Sequence, residues 1–107
     1  MTISPLDVFR IKIRFGQADY PRPGVIVALS QNSDVRLVVI SSKLDLYRPS
    51  EHFLIRDDHS DFSATGLKFT SYVVGAPIFA IKSNELLTRM GSLQGELAQE
   101  FKNWMGM

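Results

Sequence analysis

Near the N-terminus, apolar and charged positions alternate. From Asp7 to Phe15, residues Phe9, Ile11, Ile13 and Phe15 share one parity, and Arg10, Lys12 and Arg14 share the other. A period of two belongs to an extended strand with one face turned to a core. The pattern changes at Val25–Leu29, an unbroken apolar run that is too short for an ordinary helix and rich in β-branched side chains. It predicts a strand buried on both faces. Gln31-Asn32-Ser33-Asp34 is turn chemistry of hairpin length. A third strand is expected from Val35 to Ser42, where the sequence changes abruptly from aliphatic to hydroxyl. Lys43 to Ser50 is polar, holds Pro49 and reads as a connection.

A fourth, short strand is expected over His52–Arg56 and a fifth over Leu67–Val74. A turn at Gly75-Ala76-Pro77 should lead to a sixth over Ile78–Ile81. From Ser83 the period lengthens. Ser83 can cap a short helix carrying Leu86, Leu87 and Met90, stopped at Gly91. Ser92 can cap another, in which Leu93, Leu97, Phe101 and then Trp104 or Met105 recur at helical spacing. That stripe reads as core. Short sequential strands and a terminal helix predict a mainly β fold, a small antiparallel barrel or half-barrel closed by the helix.

Composition narrows this picture. The 107 residues are enough for one domain, residues 1–107, with a single core. Hydrophobic residues make up 45% and charged residues 21%, which argues against disorder. The sequence has no cysteine, so disulfides and thiolate metal sites are excluded. No apolar run approaches a membrane span and no leader pattern is present, so a soluble, cytoplasmic chain without membrane contact is expected. The formal net charge is only +1. A nucleic-acid partner would therefore have to be held by a local patch.

Two features suggest such a patch. In Pro21-Arg22-Pro23 the prolines hold the chain extended on both sides of one guanidinium, whose fork suits phosphate or carboxylate. Arg10, Lys12 and Arg14 form a stripe of cations along the open face of the first strand, which suits a polyanion backbone. Each also has a plainer reading: a surface arginine in a proline-rich loop, and a charged edge that discourages strand pairing. Asp57, Asp58, His59 and Asp61 invite a metal reading. They lack the glycine and the late glutamate of a calcium loop, so a solvated loop is expected there, with no metal and no cofactor.

Several pieces, in order, resemble the PemK/MazF family, the toxins of bacterial toxin–antitoxin pairs. They are Arg22-Pro23 leading into Val25–Ser30, Val39-Ile40-Ser41-Ser42, Gly66-Leu67-Lys68 followed by Ser71-Tyr72-Val73, and Gly91-Ser92-Leu93. The likeness runs from about Asp7 to the C-terminus. It implies an SH3-like barrel of the PemK/MazF/CcdB type, usually a homodimer. It also implies a metal-independent endoribonuclease that cuts single-stranded mRNA by 2′-hydroxyl attack and is held inactive by a small antitoxin protein. By this resemblance Arg22 is the phosphate clamp and Ser41 the hydroxyl on the scissile phosphate; Arg10, Lys12, Arg14, Ser42 and Ser71 would contact RNA.

The sequence departs from the family in three places. Leu6-Asp7 replaces the usual Gly-Asp at the first strand. The loop Gly16–Tyr20 is short. Val74 and Ala76 stand where some members carry an arginine and an aspartate as acid and base, with His59 or Asp19 as conceivable substitutes. The alternative expectation is a catalytically degenerate barrel that binds RNA or protein.

Overall fold

The computed structural model describes the backbone of residues 2–15, 18–32 and 34–107, and their side chains except at 13–15 and 18–20. Six strands are hydrogen-bonded in the order β4-β5-β3-β2-β1-β6, every pair antiparallel. They are β1 (Asp7–Phe15), β2 (Ala18–Leu29), β3 (Asp34–Ser41), β4 (His52–Ile55), β5 (Ser71–Lys82) and β6 (Leu86–Ser92). One helix, α1 (Gly95–Met105), ends the chain. The fold is thus mainly β, an open six-stranded sheet with a C-terminal helix.

The sheet buries both faces, and residue parity decides which. Val8, Val25, Val38, Ile40 and Val73 point to the face covered by Leu97 and Phe101 of α1. Phe9, Ile11, Ile26, Leu37 and Val39 point to the other, where they cluster with Leu86 and with Phe79 and Ile81 from β5. Among the described residues no helix or second sheet covers that face, so the sheet must curl to bury it. Arg10 and Lys12 are exposed and Phe9 and Ile11 buried, as the alternation requires. The side chain of Arg14, like those of Ile13 and Phe15, lies outside the described residues, as do Gly16, Gln17 and Ser33.

Four expectations need correction. Leu86–Met90 is not helical: it belongs to β6, which pairs with β1 from Asp7↔Ser92 to Ile11↔Leu86. A helix of that length is marginal alone, whereas β1 offers a full row of backbone partners. Ser83 instead opens a single 3-10 turn over Ser83–Glu85, and Lys82 N–H donates to Glu85 Oε2. Second, the expected fifth and sixth strands are one strand. β5 begins at Ser71, not Leu67, and passes through Gly75–Pro77 as an irregularity, its register with β3 jumping from Val39↔Val74 to Leu37↔Phe79. Gly75 is needed there because a Cβ would meet the Trp104 ring at 2.6 Å. Third, β2 starts at Ala18, so the prolines around Arg22 lie inside a strand.

Ser92 does not cap α1 either. Ser92 closes β6, and the residue before the helix, Gln94, makes no side-chain cap bond. The carboxylate comes from across the fold, with Leu97 N–H donating to Asp61 Oδ2 (3.3 Å). This disperses the acidic loop that suggested a metal. Asp58 pairs with Arg56, Asp61 serves α1, and His59 Nε2 bonds Glu100 Oε2 at 2.9 Å. Among the described residues no group of three ligating side chains gathers.

Glu100, bonded to the ring, holds the His59 imidazolium above the ordinary 6.5; burial opposes, and the charges of Glu100, Asp61 and Glu96 add to the rise. A raised histidine pKa stabilises the fold fully below the unfolded value, and the benefit fades as pH climbs through the folded one. Glu100→Gln should therefore lower the melting temperature more at mildly acidic than at alkaline pH. Melting curves on both sides of 6.5 check this, and an equal loss at both would contradict it.

Gly91 and Gly66 let β6 and the loop before β5 touch backbone to backbone. A Cβ on Gly91 would run into the Ala64 carbonyl oxygen, and Gly66 sits at φ 76 against Met90. Neither neighbour is a flexible side-chain end. Gly91→Ala is expected to destabilise by about 1–3 kcal/mol, read as a lower urea midpoint.

Candidate functional site

The ladder between β2 and β3 runs from Leu29↔Val35 to Gly24↔Val39 and stops. The next residues of β2 are Pro23, Arg22 and Pro21, and two of these have no N–H to donate. Beyond Gly24, β2 stays with β1 (Arg10↔Pro23, Lys12↔Pro21), while β3 stays with β5 (Ile40↔Val73, Ser41↔Tyr72). The two strands part into a fork. Carrying their register past Gly24↔Val39 sets Arg22 across from Ser41 and Pro21 across from Ser42.

A cavity of about 190 Å³ fills the fork, with Pro21 and Pro23 as walls and Arg22, Ser41, Ser42 and Lys43 as polar groups. It continues to either side of the sheet. One extension, about 230 Å³, carries Arg10, Lys68 and the exposed Phe69. The other, about 220 Å³, holds Arg22, Ser41 and Lys43 again, with Tyr72, Val74 and Phe79. Among the described residues, four cations and no carboxylate line these three spaces. An arrangement of this kind favours an anion by charge and by donor geometry.

The hydroxyls differ in what they can offer. Ser41 Oγ accepts the Lys43 backbone N–H (3.2 Å), which leaves its own proton for a ligand. Ser42 is exposed just past the strand end. Ser71 lines the same cavity but is buried, and it donates to the Phe69 carbonyl (2.7 Å), so it can only accept from a ligand. Arg10 lies in the outer extension, whereas Lys12 lines none of the three spaces.

Proton-transfer groups are scarcer. Val74 lines the Arg22 cavity with an aliphatic side chain, and Ala76 lies beyond it beside Glu51 and His52. His52 Nδ1 accepts Arg48 N–H (2.9 Å), so the ring proton sits on Nε2, which then donates and cannot act as a base. His59 is engaged with Glu100 on the helix. The Asp19 side chain lies outside the described residues. Sequence reasoning did not single out Lys43, Lys68 or the ring of Tyr72. Lys43 follows Ser42, Tyr72 follows Ser71, and Lys68 ends the Gly66-Leu67-Lys68 motif, but only the fork makes them neighbours of Arg22 and Arg10.

Compared with models of known protein families the chain matches none, and no curated protein matches it.

Proposed function

We propose that the chain is a toxin-type endoribonuclease that cuts single-stranded RNA without a metal ion, by attack of the 2′-hydroxyl on the adjacent phosphate. The observation carrying this reading is that Arg22 and Ser41, chosen from sequence, line one fork whose charged groups, among the described residues, are all cations. The guanidinium neutralises the charge growing on phosphorus, and the Ser41 hydroxyl donates to a non-bridging oxygen. Lys43 adds charge at the same phosphate, and Arg10 and Lys68 follow the strand outward.

A backbone detail supports the resemblance. Leu6 stands where the PemK/MazF family has glycine, and its φ is 75, a conformation glycine takes without strain. Its N–H donates to Ile26 O and its carbonyl accepts Leu93 N–H, which hold it there. The reading extends to an SH3-like architecture, a homodimer in the cytoplasm, and an antitoxin whose acidic tail occupies the fork.

The test is incubation of the purified protein with single-stranded RNA in excess EDTA. Cleavage leaving 2′,3′-cyclic phosphate and 5′-hydroxyl ends is expected; intact RNA at high protein concentration overturns it. A second reading, an RNA-binding module without cleavage, is favoured by Val74, the aliphatic residue at an expected acid–base position. RNA retained by the protein but left uncut selects that reading.

A further inference from the structure

We propose that the Tyr72 hydroxyl is the proton donor to the leaving 5′-oxygen, supplying the acid that Val74 and Ala76 do not; this rests on the cleavage reading above. Three observations converge on it. Tyr72 is the register partner of Ser41, the β2–β3 register carried past Gly24↔Val39 sets Arg22 across from Ser41, and all three line one cavity. Residues paired across strands share a face, so guanidinium, serine hydroxyl and phenol form one row over β2, β3 and β5.

The second observation is burial. Tyr72 is only 3% exposed, its ring stacked on His52 (centroids 4.6 Å, 25°) and tilted against Tyr47 (5.6 Å). Such packing fixes the ring.

The third is the hydroxyl. Among the described residues it has no hydrogen-bond partner, yet no sealed side-chain oxygen or nitrogen is left unsatisfied. Its small open surface is therefore where the hydroxyl emerges, and Tyr72 lines the cavity that holds Arg22, Ser41 and Lys43. Buried tyrosines normally spend that proton on a protein acceptor. Here it is kept for a ligand.

The chemistry favours this group over its neighbours. A phenol gives up its proton far more readily than a guanidinium, which stays protonated in proteins, and so is the better acid catalyst. In the step, the 2′-oxygen forms its bond to phosphorus and its proton passes to water. The P–O5′ bond breaks with its electron pair moving to O5′, which takes the Tyr72 proton. The phenolate left behind faces Arg22 and Lys43 and is reprotonated from water.

The experiment pairs Tyr72→Phe with two RNA substrates, one ordinary and one with sulfur replacing the bridging 5′-oxygen at the cut site. A thiolate leaves without a proton, so the second substrate needs no acid. Tyr72→Phe is expected to cut ordinary RNA roughly 100-fold more slowly and the sulfur-bridged RNA at nearly the wild-type rate. Arg22→Ala should be slow on both. Equal cleavage of ordinary RNA by Tyr72→Phe and wild type overturns the assignment, as does an equal loss on both substrates. Wild-type protein that cuts neither substrate removes the cleavage reading, and this inference with it. Should Tyr72→Phe fail to fold, 3-fluorotyrosine in place of Tyr72 keeps the ring; it should move the alkaline limb of the pH–rate profile to lower pH, and an unmoved limb counts against the proposal.

Discussion

On the proposed ribonuclease reading, Arg22→Ala is expected to slow RNA cleavage by about 10²–10³-fold in single-turnover assays, the loss typical when one preorganised donor to a transition-state oxyanion is removed. Arg22 is half-buried on a stretch of β2 with β1 on one side and the cavity of the fork on the other. Its replacement leaves every residue of the two hydrophobic clusters in place, so the melting temperature should change far less than the rate. Arg22→Lys keeps the charge but not the planar fork, and should recover only part of the rate. Melting curves and cleavage time courses on the same preparations check both halves. An undiminished rate in Arg22→Ala would take the guanidinium out of the reaction and leave the fork without its main cation.

The second large effect belongs to the opposite face. Phe101 is fully buried against Val8, Ile40, Ile55 and Val73, and meets Phe53 edge-on at 5.5 Å and Trp104 at 6.0 Å. Phe101→Ala should cost about 3–5 kcal/mol, since both the transfer of the ring and the space left behind count against the fold. Typical domains have a stability of only about 5–15 kcal/mol. The variant should thus unfold at a much lower urea concentration, and part of it at physiological temperature. A loss below about 1 kcal/mol would mean that α1 contributes little to the core.

Much of this could be read in the chain. The alternation in β1 requires only a count of two, and the helical stripe Leu97–Phe101–Trp104 only a count of three or four. Leu86 to Met90 failed because a spacing of four suits a helix turn and an alternating strand equally. The tie was broken by β1, about eighty residues earlier in the chain, whose outer edge needed a partner. The meeting of Arg22 with Ser41 was beyond reach for a related reason. At the hairpin, Leu29↔Val35 and Ala28↔Arg36 set one register, and an irregularity at Val27 shifts it by one residue before Ile26↔Leu37. Without that shift Arg22 would face Ser42, and a one-residue slip turns a side chain to the other side of the sheet. No local signal marks Val27 as the place where the count changes.

The separation of the sheet's two faces has a practical consequence for how this molecule can change. The helix layer sets how tightly the domain holds together, while the row from Arg22 to Tyr72 lies on the reverse side, with Tyr72 outside the cluster that packs on α1. Substitutions under the helix and substitutions in the row should combine additively. Thermal tolerance and the proposed RNA chemistry would then be free to drift independently, and a sturdier version could be engineered from below without retuning what happens above.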